Sequence, residues 1–383
     1  MIAASVNSSK FTVASLLLLL VAWTGAAAAD EVAVHLFTHR VVDKIALHAP
    51  GWEVTDGAGH SAPATNCEIV LAGFHRAVTC GDFRSQQAPF DIRPRAHDAA
   101  AAATIRLGNE ARAYPGRLRL EAGRDRWTPV VYAPLEEYVA GVVAAESPAD
   151  DPQFLRLMAV CARSYARHHL ATHNGKLADD TQSQQYRGNP PAARARTIRE
   201  AVAATQGRVL RVNGRVAPAF YHACCGGHTR PADELWPSLA AWPHLRGVKD
   251  VDPAKLPWCR DDKWFSWRRE LPPDRWRRFL HDKYSALTAL RSEEAHAVTL
   301  VDAERRRTIL TWPFRLAACR ELGWNTLPSD RFVIETNRHA VVFTGHGFGH
   351  RIGLCQAGAL AQVRGGKSCD DVLAFYFPGA EVR

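Results

Sequence analysis

The sequence predicts an α+β protein, in which a β-rich N-terminal region precedes a larger mixed α/β domain. Three observations carry this. From Glu31 to about Val130, short β-branched runs (VAVHLFTH, KIALHA, GWEVTDG, TIRLG, GRLRLEAG) are cut by Gly and Pro, the punctuation of strands and turns. Beyond them, Leu135, Tyr138, Val139, Val142 and Val143 recur at spacings of three and four, which marks one buried helical face. Phe154, Met158, Cys161 and Tyr165 repeat that pattern, and strand, turn and helix signals then alternate to the C-terminus.

Taken in order, residues 1–29 read as a secretory signal. Lys10 precedes an apolar run from Phe11 to Trp23, and small residues before Asp30 offer a cleavage site. The run is short for a bilayer span, although an uncleaved anchor stays open. No later stretch is apolar enough to cross a membrane, so the mature chain is expected to be exported to the periplasm or cell envelope. About 354 residues remain, with a β-rich region over 30–130 and the mixed domain over 131–383. The whole chain carries a formal charge of +9, and Lys10 is the one charged residue in the leader. Outside the cytosol this excess points to an anionic wall polymer or membrane surface rather than nucleic acid. There is no repeat period and no low-complexity tract.

Nine cysteines are an odd number, so at least one thiol is free or pairs between chains. Cys67 and Cys80 flank a short apolar segment and could close a hairpin-like loop by a disulfide. The vicinal Cys224 and Cys225 are poorly placed to bond to each other.

The first helix begins at Pro134. Glu136 and Glu137 fall in its first turn, a placement worth a few tenths of a kcal/mol through the macrodipole. The next position on its buried face should be apolar, and it is Glu146, with Pro148 ending the helix just beyond. Burial and the negative helix end both raise a carboxyl pKa, and an acid protonated near neutral pH can donate to a glycosidic leaving oxygen. A boundary glutamate turned out to solvent is the alternative that spacing alone leaves open. Asp151-Pro152 caps the second helix, on which Arg163 occupies another face, either as a solvated charge or as a holder of an anionic sugar substituent.

A polar loop over 174–190 contains Gln184 and Tyr186 and is followed by a helix over 192–205. Asn213-Gly214 sets a hairpin, and after its second strand comes YHACCGGHT (Tyr221–Thr229). There Gly226-Gly227 lets the backbone approach something closely, and His222, Cys225 and His228 invite a zinc reading that three ligands in one tight turn do not complete. Six tryptophans and many arginines over 236–281 suit either sugar contact or an irregular cover on the core, the latter preferred. The last cluster, GHGFGHRIGLCQAGA (Gly345–Ala359), holds His346, His350 and Gln356. It lacks the Lys-Ser/Thr pair and the downstream acidic residue of nucleotide loops.

These stretches, with LEEYVAGVVAAE (Leu135–Glu146), ARSYA (Ala162–Ala166), QQYRG (Gln184–Gly188), AVAATQGRVL (Ala201–Leu210) and FYFPG (Phe375–Gly379), resemble the stage II sporulation protein D / amidase-enhancer LytB (SpoIID/LytB) family, in the family's order. The resemblance implies a lytic transglycosylase of peptidoglycan whose catalytic glutamate matches Glu146, so that 131–383 would be the catalytic domain. It also implies glycan strands as substrate, and an amidase partner if the chain is instead a non-enzymatic, wall-binding enhancer; no cofactor is expected. By the same carry-over Arg163, Tyr165, Gln184, Tyr186, His222, Cys225, Gly226, Gly227, His350 and Gln356 should line or brace the groove. Core bracing is a reading nearly as strong as substrate contact for Tyr165, Cys225 and Cys355.

Three departures stand out. Ser147 follows the glutamate where the family commonly has Met, and Arg351 replaces a small Gly, which is expected to alter the groove floor. Gln182 and Ser183 occupy the places of a metal-binding His-Cys pair. No metal is therefore expected in that loop, and the purified protein is expected to hold less than one zinc per chain.

Overall fold

The computed structural model describes residues 30–39, 41–95, 101–172, 175–181, 183–286, 288–290, 297–302 and 304–383. The expected signal segment, residues 1–29, and Gln182 lie outside the described residues.

The N-terminal half is built on two antiparallel-rich sheets, and strands form at every run the sequence marked. One sheet has six strands, including Lys44–His48, Asn66–Val70, Ala77–Cys80 and Ala102–Leu107. Cys67 and Cys80 are joined by a disulfide across its hairpin, and constraint of that short loop is worth on the order of 3 kcal/mol in the chain-entropy model. The other sheet has seven strands. Its strand Glu31–His35 pairs antiparallel with Thr128–Pro134 and parallel with Lys176–Ala178. That sheet therefore draws strands from both sides of residue 130, and the expected division there falls within the strand Thr128–Pro134.

Thr128–Pro134 runs directly into α1 (Leu135–Glu146), and α2 (Pro152–Thr172) follows. Asp151 caps α2: its Oδ1 accepts from the backbone N–H groups of Gln153 (2.9 Å) and Phe154 (3.1 Å). α2 is buried all round between Phe154 and Ala166, apart from Arg156, which makes it the central post of the core. α3 (Ala192–Ala203) packs on both. The hairpin Leu210–Val212/Arg215–Val216 turns on Asn213 and Gly214, both with positive φ. Its second strand ends early, and Tyr221–His222 pairs in parallel with Leu354–Cys355 instead.

Residues 224–265 have little regular structure beyond two 3-10 turns. A second hydrophobic cluster, distinct from the main one, then forms around Trp267, Trp276, Phe314, Phe332 and Phe343. It is framed by α4 (Pro273–Tyr284), α5 (Thr311–Leu322) and the strands Ser266–Leu271, Phe332–Thr336 and Val341–His346. The chain returns to the main core through α6 (Gln356–Arg364) and α7 (Cys369–Tyr376). The seven helices and six sheets of the described residues make a mixed α+β protein.

Candidate active site

Glu146 is the last residue of α1 and is partly buried. Its Oε1 accepts from the backbone N–H of Gln185 at 2.8 Å. Burial pushes its carboxyl up to about 7, while that hydrogen bond and the Arg187 guanidinium pull the other way. Desolvation wins because it penalises the charged form outright, and one N–H donor returns only part of the lost hydration. The result is a carboxylic acid close to half protonated at neutral pH.

A polar network lies next to this acid. The Tyr138 hydroxyl donates to Gln184 Oε1 (3.1 Å), and Gln184 Nε2 donates to the Tyr221 hydroxyl (2.9 Å). Gln184 is buried, so both halves of its amide are satisfied by phenols rather than by water. Burial pushes both phenols well above their ordinary range, so they remain neutral. From the far end of the chain, Gln356 Nε2 donates to the carbonyl oxygen of Glu146 (3.1 Å), one of the orphan carbonyls of a helix terminus.

The histidines sit beyond Tyr221. His350 Nδ1 accepts from the Ile352 N–H (3.0 Å), and its ring also meets the Tyr221 carbonyl, so its second nitrogen carries the proton. Burial holds His350 down at about 4 and therefore neutral. His222 Nδ1 donates to the Ile352 carbonyl (3.1 Å); burial keeps this ring neutral too, leaving Nε2 as a buried lone pair with no partner among the described residues. The two rings lie 5.6 Å apart. Phe220 and the partly exposed Trp236 and Trp312 surround His350 as an aromatic wall, with Tyr165 edge-on to Phe220 at 5.8 Å. Such a surface can stack on the apolar face of a sugar ring.

Several residues expected to line or brace the groove are buried and packed against protein. Arg163 has no exposure. It makes a two-pronged pair with Glu136 (Nε–Oε1 2.9 Å, Nη2–Oε2 2.6 Å) and also donates to the Arg208 carbonyl at 3.1 Å. Neither a solvated charge nor a sugar holder, it clamps α1 and α2 to the end of α3. Tyr186 is fully buried, with ring centroids 5.0 Å from Tyr138 and 5.8 Å from Tyr114, and its hydroxyl has no hydrogen-bond partner among the described residues. It is a core residue. Gly226 and Gly227 do serve a close approach, but to protein: a Cβ on Gly226 (φ +69°) would lie 2.9 Å from His346 Cβ, and one on Gly227 3.2 Å from Pro257. The loops of YHACCGGHT and GHGFGH thus pack on each other, with Cys224 and Phe348 exchanging backbone hydrogen bonds.

Arg351 adopts φ +61°, the conformation that favours glycine. Its side chain turns into a buried ion cluster with Asp330 (3.0 Å), which also pairs with Arg230, rather than onto a groove floor. Cys225 is wholly buried and cannot touch a polymer. Nor does it join His222 and His228: among the described residues the group able to hold a metal is Cys225, Asp250, Cys259 and Cys355.

Sequence reasoning missed Tyr138, Tyr221, Asp250 and Cys259. Tyr221 opens the YHACCGGHT motif, which was a usable signal. Tyr138 reads as one more apolar position on a helical stripe. Separately, a cleft of about 500 Å³ lies on the six-stranded sheet, lined by residues including His48, Glu68 and Arg106, and it shares no residue with this site.

Residues 123–211, which contain α1, α2 and the Gln184–Gln185 turn, match the family model described as Stage II sporulation protein. The chain is 29% identical over 269 residues to Stage II sporulation protein D of Bacillus subtilis, covering 65% of this chain and 74% of the relative. It is 27% identical over 276 residues to an uncharacterized protein of Brachyspira hyodysenteriae, covering 70% of this chain and 72% of that one. Similarity to the Amidase enhancer of Bacillus subtilis is 24% over 286 residues, 62% of this chain and 39% of that relative.

Proposed function

We propose, from the premise that this chain carries a SpoIID/LytB-family domain, that it is an exported lytic transglycosylase acting on the glycan strands of peptidoglycan. The observation that carries this reading is the placement of the Glu146 carboxyl, partly buried at the end of α1 and accepting from the Gln185 N–H at 2.8 Å, where burial pushes it up to about 7. In its protonated form it delivers a proton to the departing glycosidic oxygen as the bond to the muramyl C1 breaks. The resulting carboxylate takes the proton of the muramyl C6 hydroxyl, whose oxygen then bonds to C1 and closes a 1,6-anhydro ring. No water enters, and one carboxyl group performs both transfers, so the paired carboxylates of glycoside hydrolases are not required. The aromatic wall of Phe220, Trp236 and His350 offers the stacking surface for a sugar.

Digestion of purified sacculi and of strands stripped of stem peptides, followed by mass spectrometry, tests this. Anhydromuramyl ends are the expected product; reducing ends would indicate a hydrolase instead. The likeness to an amidase enhancer supports a second reading, wall binding that stimulates an amidase without glycan cleavage. Stimulation of amide cleavage by a chain that releases no anhydromuramyl product would favour it.

A further inference from the structure

Three thiols and one carboxylate from separate segments converge at a point that the proposed glycan chemistry does not use. The ligand atoms of Cys225, Asp250, Cys259 and Cys355 all lie within 4.8 Å of one another. Cys225 Sγ is 3.6 Å from Cys259 Sγ and 3.0 Å from Asp250 Oδ2. A tetrahedral zinc with Zn–S bonds of about 2.3 Å sets its sulfurs about 3.8 Å apart, so the thiols already stand close to the edge length of such a site. Exposure is at most 1% for each of the four residues.

The surroundings are those of a ligand set. Asp250 is fully buried, and among the described residues no cationic side chain pairs with it. A carboxylate in that position is expensive unless a cation completes it. The Tyr376 hydroxyl donates to Asp250 Oδ1 at 2.6 Å, which fixes the carboxylate with Oδ2 turned toward the sulfurs. The Cys355 sulfur accepts from the backbone N–H groups of Cys225 (3.2 Å) and Gly358 (3.4 Å), bonds that favour a thiolate. Gly358 is required: a Cβ there would lie 2.4 Å from Asp250 Oδ2. The Cys224 thiol lies against Cys259 and Cys355 outside this group.

We propose that Cys225, Cys259, Cys355 and Asp250 form a structural zinc centre. The ligands tie the Cys224–Cys225 turn and the irregular 224–265 segment to the start of α6, where Cys355 precedes Gln356, the residue that holds the end of α1. Closed by four protein ligands and buried, the centre has no open position for substrate and contributes to folding rather than to chemistry. This reverses the expectation of a zinc-poor protein, which considered only the loop Leu177–Ser183; these ligands come from elsewhere. The proposal does not depend on glycan cleavage.

The test uses the full chain, purified without a metal-binding tag and without added metal, with metal content measured by inductively coupled plasma mass spectrometry. About one zinc per chain is expected, released when the thiols are titrated with an organomercurial. Exchange with cobalt(II) should give thiolate-to-cobalt charge-transfer absorption and the intense visible bands of a tetrahedral site. Cys259→Ser and Asp250→Asn should each reduce zinc at least about tenfold, while Cys161→Ser and Cys319→Ser, buried thiols elsewhere, keep it. If a ligand variant does not fold, the wild-type metal content and cobalt spectrum still decide. Zinc-free wild type, a Cys225–Cys259 disulfide in non-reducing peptide maps, or stoichiometric iron or copper in place of zinc would overturn the proposal. Zinc retained in Asp250→Asn but lost in Cys224→Ser would overturn the ligand set.

Discussion

Gln356 donates a hydrogen bond to the carbonyl oxygen of Glu146 at 3.1 Å, across 210 positions of sequence. The contact joins the start of one helix to the end of another, and places the candidate acid where three separate motifs meet. Gln185 holds its carboxyl, Gln184 and Tyr221 bond to each other alongside, and Gln356 closes the helix end. The surroundings of Glu146 are therefore assembled from residues that no local pattern connects.

Glu146→Gln should reduce release of anhydromuramyl products by about 10²–10⁴-fold, toward the upper end because one group serves both proton transfers. Glutamine keeps the shape and the contact with Gln185 but moves no proton. Mass spectrometry of digested strands reads the loss, and unchanged circular dichroism and sacculus pull-down separate it from misfolding. Near-normal product release would remove Glu146 from the mechanism.

Activity should fall as pH rises through about 7, the value to which burial lifts the Glu146 carboxyl, because the proton donor is lost. Stability follows the same group. The native state binds the proton more tightly than the unfolded chain, so stability is greatest below the unfolded value of 4.5, declines to about 7 and is level above it. The full decline is as much as ~3 kcal/mol. Urea denaturation at a series of pH values measures it, and Glu146→Gln should flatten that interval and be the more stable protein at pH 8.

Glu136→Gln should destabilise the fold by about 3–5 kcal/mol, because it strips the carboxylate from an arginine with no access to water. Glu137, one residue on, pairs with the partly exposed Arg199 at 3.1 Å, and Glu137→Gln should cost less than about 1 kcal/mol. The first-turn dipole argument made the two equivalent; their partners do not. Equal denaturation midpoints for the two variants would contradict this.

Gln184→Met should leave the buried hydroxyls of Tyr138 and Tyr221 without their amide partner and cost about 1–3 kcal/mol. It should also shift the alkaline limb of the activity profile, since the network next to Glu146 is altered. A variant as stable as wild type with an unmoved profile would make the network incidental.

Much was legible in the sequence because it depends on neighbours within a few residues. The strand runs of 31–121, the Asp151 cap, the Asn213-Gly214 turn and the position of Glu146 at the last turn of an apolar helix all follow from local propensity and period. Tertiary structure alone decided which polar residues face inward and what they meet. Arg163 looks like a solvated charge until α1, α2 and α3 close around it, and Cys225, Asp250, Cys259 and Cys355 are unrelated in spacing until the irregular segment folds back to α6. The reason is physical: periodicity reports which face of an element is apolar. The fate of a buried charge or thiol is set by partners tens to hundreds of residues away, whose approach leaves no local trace.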